Sequence, residues 1–268
     1  MISVISVLSV PVLHAGAMFL SASAAALVGL HAAMLAIGAS RAALSPRARM
    51  LVPVGAALLL GAWLGWALVV AQERAVIGPV EGRQPLVASL PTLACIVAAI
   101  GVGSAFLALP SVRAANAAIP AAWLIAVQVY RTAGATFLWP FMGEGGLPPG
   151  FAWPAGIGDA ATGLLAPFVA WAVVRRRRGA YGWAVAWNWF GLLDLVVAPT
   201  AAVLTGARVA ELYPLGLIPI FLGPPMGILT HIYSLRNLAS NRVSWMESLE
   251  DGASTASLPA RETVPGRA

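Results

Sequence analysis

The chain has 268 residues, of which 60% are hydrophobic and only 10% charged, and its net charge is +6. A soluble domain carries about 25% charged residues, so this composition excludes a water-covered globule and calls for lipid over most of the surface. The basic residues are 16 arginines and no lysine, which excludes retinal or pyridoxal cofactors held as a Schiff base.

A helix needs about 20 apolar residues to cross the hydrocarbon layer. Seven stretches qualify, at 9–38, 51–72, 92–110, 119–139, 151–174, 181–204 and 213–235. The first is longer than one crossing requires, which predicts a tilt or an interfacial start. No basic residue precedes it, which speaks against a cleaved signal peptide. The second carries Gly61-x-x-x-Gly65, a spacing that permits close helix contact. In the third lies Cys95, the single cysteine, which excludes an intrachain disulfide and any multi-cysteine metal site and reads as a small buried hydrophobe. The fifth opens with Pro154, Gly156 and Gly158, and the seventh holds Pro214, Pro219, Pro224 and Pro225. Such breaks free backbone groups and often line cavities.

The connections set the orientation. Arg41, Arg47 and Arg49 follow the first stretch, Arg113 the third, Arg175 to Arg178 the fifth, and Arg236 and Arg242 the seventh. Opposite them lie only Arg74, Arg83 and Arg208, accompanied by Glu73, Glu81 and Glu211. Ten arginines against three place the first group in the cytoplasm and the N-terminus outside. The same distribution accounts for the positive charge without nucleic acid; Arg175 to Arg178 suit a topology anchor on anionic headgroups. The loop Phe141 to Gly150, with Glu144 and Pro148-Pro149, reads as a semi-rigid external turn. Residues 1–236 thus form one transmembrane domain, and 237–268 read as a cytoplasmic tail, largely disordered, with a short interfacial helix within Ser244–Glu250.

Ionisable groups inside a span are costly, by about 2.5–3.5 kcal/mol on insertion scales, and here they gather in the last four stretches. Gln128 and Arg131 share a face of the fourth, the fifth carries Asp159, the sixth Asn188 and Asp194, and the seventh His231. Counted from the outer ends, Arg131 and Asp159 lie roughly 12 Å deep and Asp194 roughly 15 Å. One cation and two carboxylates therefore fall in one slab. They read either as an ion pair pinning three helices or as a polar pocket or proton relay, because one negative charge stays uncompensated. An inner layer of His31, Asn188 and His231 lies roughly 6–11 Å from the cytoplasmic ends. Its histidines serve packing, or ligate haem b as an alternative, with His14 near the outer face. Trp139, Trp153 and Trp183 sit where an aromatic belt belongs, while Trp187 shares the face of Asp194 and can wall a pocket.

The sequence has no phosphate loop, dinucleotide fingerprint, His-Glu-x-x-His zinc motif or Gly-x-Ser-x-Gly turn. An enzyme acting on lipid therefore lacks a nucleophile or metal motif. The segments Gln128-Val-Tyr-Arg131, Pro154-Ala-Gly-Ile-Gly-Asp159, Trp187-Asn188, Gly191-Leu-Leu-Asp194 and Leu229-Thr-His231 resemble a group of uncharacterised bacterial multi-pass membrane proteins over about residues 120–236. The resemblance implies a shared fold and brings no activity, substrate or catalytic residue.

The expectation is an all-α, polytopic bundle of about seven transmembrane helices in a bacterial inner membrane, with membrane lipid around it and no cofactor. Its role is a small-solute or proton-coupled carrier or a ligand sensor. Arg131 balances charge or binds an anion, Asp159 and Asp194 accept a proton or cation, and Gln128 and Asn188 orient ligand or water. A structural or scaffold subunit of a membrane complex or homo-oligomer, and a haem-binding redox protein using His31 and His231, are the alternatives.

Overall fold

The computed structural model describes residues 10–73, 86–138, 142, 146–212 and 215–240, and these form eight α-helices and no β-strand. In chain order the helices are α1 (Val10–Arg41), α2 (Pro46–Glu73), α3 (Leu86–Ala108), α4 (Pro110–Ala117), α5 (Ala121–Ala126), α6 (Pro149–Val174), α7 (Ala180–Thr205) and α8 (Pro224–Ser240). A 3₁₀ segment, Val127–Phe137, prolongs α5, and a π-turn, Ile218–Leu222, leads into α8. Of the expected external turn the structure describes only its flanks, where Met142 pairs with Leu147 in an isolated bridge. Glu144 lies outside the described residues, as do the connection 74–85, Trp139 and the tail from residue 241.

Among the described residues, five helices are long and apolar enough to cross a membrane, and six when the bent pair α3–α4 counts as one. Three of the seven expected stretches depart from a straight α-helix. The third bends by 87° between α3 and α4. Pro110 supplies no N–H and pushes Leu109 into an extended conformation (φ −56°, ψ 133°), so the helix must restart. Beyond the bend α4 buries Val112, Ala115 and Asn116. It touches α1 where Gly38 has no side chain; a Cβ there would collide with the Ala115 carbonyl.

The fourth stretch is α-helical for only six residues before it tightens into eleven residues of 3₁₀ helix. A 3₁₀ helix rises about 2.0 Å per residue against about 1.5 Å in an α-helix. The 17 residues of Ala121–Phe137 therefore reach about 31 Å, close to the hydrocarbon thickness of about 30 Å. With three residues per turn, Gln128, Arg131, Gly134 and Phe137 stack along one edge, and all four are buried. The hydroxyls of Thr132 and Thr136 follow the same register, donating to the carbonyls of Val129 (2.9 Å) and Ala133 (2.7 Å), three residues back.

Prolines govern the last stretch as well. The Ile220 carbonyl would take its helical bond from residue 224 or 225, and both are proline. The indole of Trp63 on α2 supplies the missing donor at 3.1 Å. The strain is absorbed in the π-turn, closed by Gly223 N–H to the Ile218 carbonyl at 2.6 Å. From there α8 runs through Ser240, past residue 236 where the tail was expected to begin. Asn237 is buried and donates to the carbonyls of Asn116 and Ile119, each at 2.9 Å, tying the end of α8 to α4.

A large apolar core runs through Leu27, Leu124, Phe137, Phe151 and Phe221, and a smaller one, around Ile125, Ala166 and Trp187, joins α5, α6, α7 and α8. The outer faces are apolar too: Phe168 is 70% exposed and Trp183 64%. A molecule that buries Gln128, Arg131, Asn188 and His231 while exposing Phe168 and Trp183 suits a lipid surrounding. Gly61 and Gly65 face open space, and a Cβ at either would meet nothing within 4 Å among the described residues. Cys95 is half-buried.

Candidate functional site

The bundle brings the 3₁₀ segment, α6, α7 and α8 together around one guanidinium. Arg131 is 2% exposed. Its Nε donates to Asp159 Oδ1 at 2.7 Å, and its Nη2 lies 2.6 Å from the same oxygen. Nη2 also donates to Asp194 Oδ2. Nη1 donates to the Gly191 carbonyl at 3.1 Å and meets His231 Nε2 at 3.2 Å. Five polar contacts thus match the five N–H donors of an arginine. The carboxyl groups of Asp159 and Asp194 thus meet at the same guanidinium nitrogen, Nη2.

The imidazole continues the network. Asn188 Nδ2 donates to the Ala184 carbonyl at 2.7 Å, which turns its Oδ1 toward His231 Nδ1 at 3.0 Å. An amide oxygen only accepts, so Nδ1 carries the proton and Nε2 offers its lone pair to Arg131. Trp187 packs its ring 5.0 Å from the imidazole and anchors its own N–H on the Thr162 carbonyl at 3.1 Å. An unbroken chain of hydrogen bonds therefore runs from Ala184 through Asn188, His231 and Arg131 to the two carboxyls.

The sequence places Arg131, Asp159 and Asp194 in one slab, and the structure joins them directly. It does not keep Asn188 and His231 in a separate inner layer. The arginine side chain spans the two levels, so both residues belong to the same network. His31 stands apart, with Nδ1 donating to the Leu27 carbonyl at 2.9 Å and Nε2 facing the Thr230 hydroxyl at 3.4 Å. Both nitrogens of His231 and both of His31 thus have protein partners, so haem ligation through them would first have to break those bonds. His14 has no described side chain. Among the described residues no three His, Cys, Asp or Glu side chains form a group that could hold a metal. Gln128 does not reach the cluster. Its Nε2 faces the Gly227 carbonyl at 3.4 Å, and its Oε1 is buried without a partner.

Sequence reasoning gave little weight to the glycines that make room for these side chains. A Cβ at Gly134 would collide with Asp159, at Gly158 with Asp194, at Gly163 with the Thr132 backbone, and at Gly191 with His231. The signal lies in the spacing: Gly134 follows Arg131 by three, Gly158 precedes Asp159 by one, and Gly191 precedes Asp194 by three. Tyr130 was missed as well; it lines a cavity of about 10 Å³ beside Arg131 and Asp159, and its buried hydroxyl has no hydrogen-bond partner among the described residues.

A larger cavity of about 90 Å³ meets Asp159 from the end of the bundle where α6 begins and α7 ends. Phe137, Phe151, Leu195, Val203 and Ile218 help to wall it. On the other side of the bundle a second cavity of about 90 Å³ lies between α1, α2, α3 and α8, bordered by His31 and Asn116.

No curated protein and no solved structure matches the chain. One family, described as "Domain of unknown function (DUF8737)", matches residues 87–239. That stretch covers more than half of the chain, begins in α3, leaves α1 and α2 outside, and holds every residue of the Arg131 network. The chain, with its arginine, its two carboxyls and the glycines around them, belongs to the DUF8737 family.

Proposed function

We propose that this is a seven-span protein of the bacterial inner membrane, N-terminus outside and C-terminus inside, that works as a proton-coupled carrier for a small solute. The carboxyls of Asp159 and Asp194 hold the exchangeable proton, and Arg131 holds the carboxyls. The carrying observation is the charge count: two buried carboxyls share one guanidinium, meet at its Nη2, and lie among apolar walls. One proton or one cation must balance the second carboxylate at so low a dielectric. The seven-span count is supported by the five long helices, the bent α3–α4 pair and the about 31 Å reach of Ala121–Phe137. The arginine asymmetry between loops supports the orientation, and the resemblance to bacterial multi-pass proteins supports the location.

Arg131 has no donor left for an anion, so its role in this reading is to fix the carboxyls and compensate one of them. Infrared spectra of the purified protein in H2O and D2O test the proton. The wild type is expected to show a protonated carboxyl band that Asp194→Asn changes. In proteoliposomes the same variant is expected to insert normally and lose solute-dependent proton flux. Wild-type flux in Asp194→Asn sinks the carrier reading. A second reading, in which the network only pins four segments in a membrane scaffold, draws on the saturation of Arg131. It predicts that Asp194→Asn changes stability and leaves the flux of a reconstituted complex intact.

A further inference from the structure

We infer that the cavity ending on Asp159 is a binding site for a small organic monocation, an alkyl- or arylammonium ion that takes the place of the shared proton. The inference rests on the reading of Asp159 and Asp194 as a pair holding one exchangeable proton.

The wall chemistry selects the ligand. Among the described residues Asp159 is the only ionisable side chain on the cavity, and Thr92 is its only other polar one. The remainder is apolar, contributed mainly by α3, the end of α7, the segment that follows it, and the π-turn leading into α8. Arg131 is not among the residues that line this cavity, and its N–H donors are committed to Asp159, Asp194, Gly191 and His231. A ligand entering here meets an apolar sleeve that ends on a carboxyl. An anion would face a carboxylate in a sleeve that has no cationic side chain in its lining among the described residues, and a neutral apolar molecule would leave the charge unanswered. An ammonium ion with an apolar body suits both parts.

The polar end has a second feature. The small cavity bordered by Tyr130 adjoins the larger one, with Asp159, Ile218 and Gly223 common to both. Tyr130 lines the small cavity, and its buried hydroxyl, without a hydrogen-bond partner among the described residues, can accept one ammonium N–H. Charge balances one for one: the ammonium enters as a monocation, the carboxyl pair releases its proton, and no net charge is added to the apolar interior. Coupled across a membrane, such an exchange is electroneutral.

A shape-matched series tests this in the full-length protein in detergent: benzylamine, benzyl alcohol and benzoate, read by calorimetry together with a pH-indicator dye. Benzylammonium is expected to bind at one site and release about one proton per molecule, with the alcohol and the benzoate at least tenfold weaker. Ala202→Leu, which fills the cavity away from Arg131, is expected to weaken benzylamine at least tenfold and leave the infrared carboxyl band unchanged. Asp159→Asn is expected to abolish the proton release. Equal binding of alcohol and amine overturns the inference, as does amine binding that Ala202→Leu leaves untouched or that releases no proton. Absence of a protonated carboxyl band defeats the proton-pair reading itself. A band present without amine binding defeats only the ligand assigned here.

Discussion

Arg131 donates to a histidine: its Nη1 lies 3.2 Å from Nε2 of His231, whose other nitrogen is committed to Asn188 at 3.0 Å. The imidazole is an acceptor for a cation only because Asn188 holds the proton on Nδ1. His231→Phe strands an arginine N–H and the Asn188 oxygen together, each a loss of about 1–3 kcal/mol. Thermal unfolding in detergent, followed by tryptophan fluorescence, is expected to show a clear fall in Tm. Asn188→Leu should fall by a similar amount, and the double variant by much less than the sum, since the two act through one bond.

Removing the cation alone exposes the carboxyls to each other. Arg131→Gln is expected to destabilise by about 3–5 kcal/mol, the range for breaking a buried ion pair. Adding Asp194→Asn removes one of the stranded charges and should restore part of the loss. A double variant less stable than Arg131→Gln would contradict the charge count on which the proton site rests.

The glycine cradle separates sites by space. Gly158→Ala and Gly191→Ala place a methyl group against Asp194 and His231 respectively, and overpacking of this kind costs about 1–3 kcal/mol. Gly61→Ala meets nothing within 4 Å and is expected to be neutral or to gain up to about 1 kcal/mol from helix propensity. Paired melts of the three variants decide the ranking.

Trp63 answers the carbonyl that two prolines leave open. Trp63→Phe keeps the ring and deletes the donor, so Ile220 loses its partner at a cost of about 1–3 kcal/mol. Hydrogen–deuterium exchange should rise around Ile218–Leu222 in that variant and stay unchanged in α6.

Much of this was legible in the sequence. The apolar runs mark the helices, and the depth of Arg131, Asp159 and Asp194 predicts that they share a slab. His231 was not placed with them because rise per residue locates a Cα, while an arginine guanidinium acts far from its own Cα. The end of α3 at Leu109 is legible, since Pro110 disfavours helix in the residue before it; the short helix α4 beyond it is not, because Ser111, Arg113 and Asn116 give that segment the composition of a loop. The 3₁₀ segment was hidden for a different reason. Its composition is as apolar as an α-helix would need, and only the interval of three between its buried residues, from Gln128 to Phe137, betrays the tighter turn.

That interval has a geometric consequence for the whole site. In an α-helix each step of three residues falls about 60° short of a full turn, so Gln128 and Phe137 would point in opposite directions and Arg131 and Gly134 would diverge. Wound as 3₁₀, the four form a straight seam that a neighbouring helix can close along its length. A single residue inserted between Gln128 and Arg131 would swing the guanidinium by about a third of a revolution, out of reach of either carboxyl. The segment therefore tolerates a change in length poorly, whatever the chemistry of the residue added.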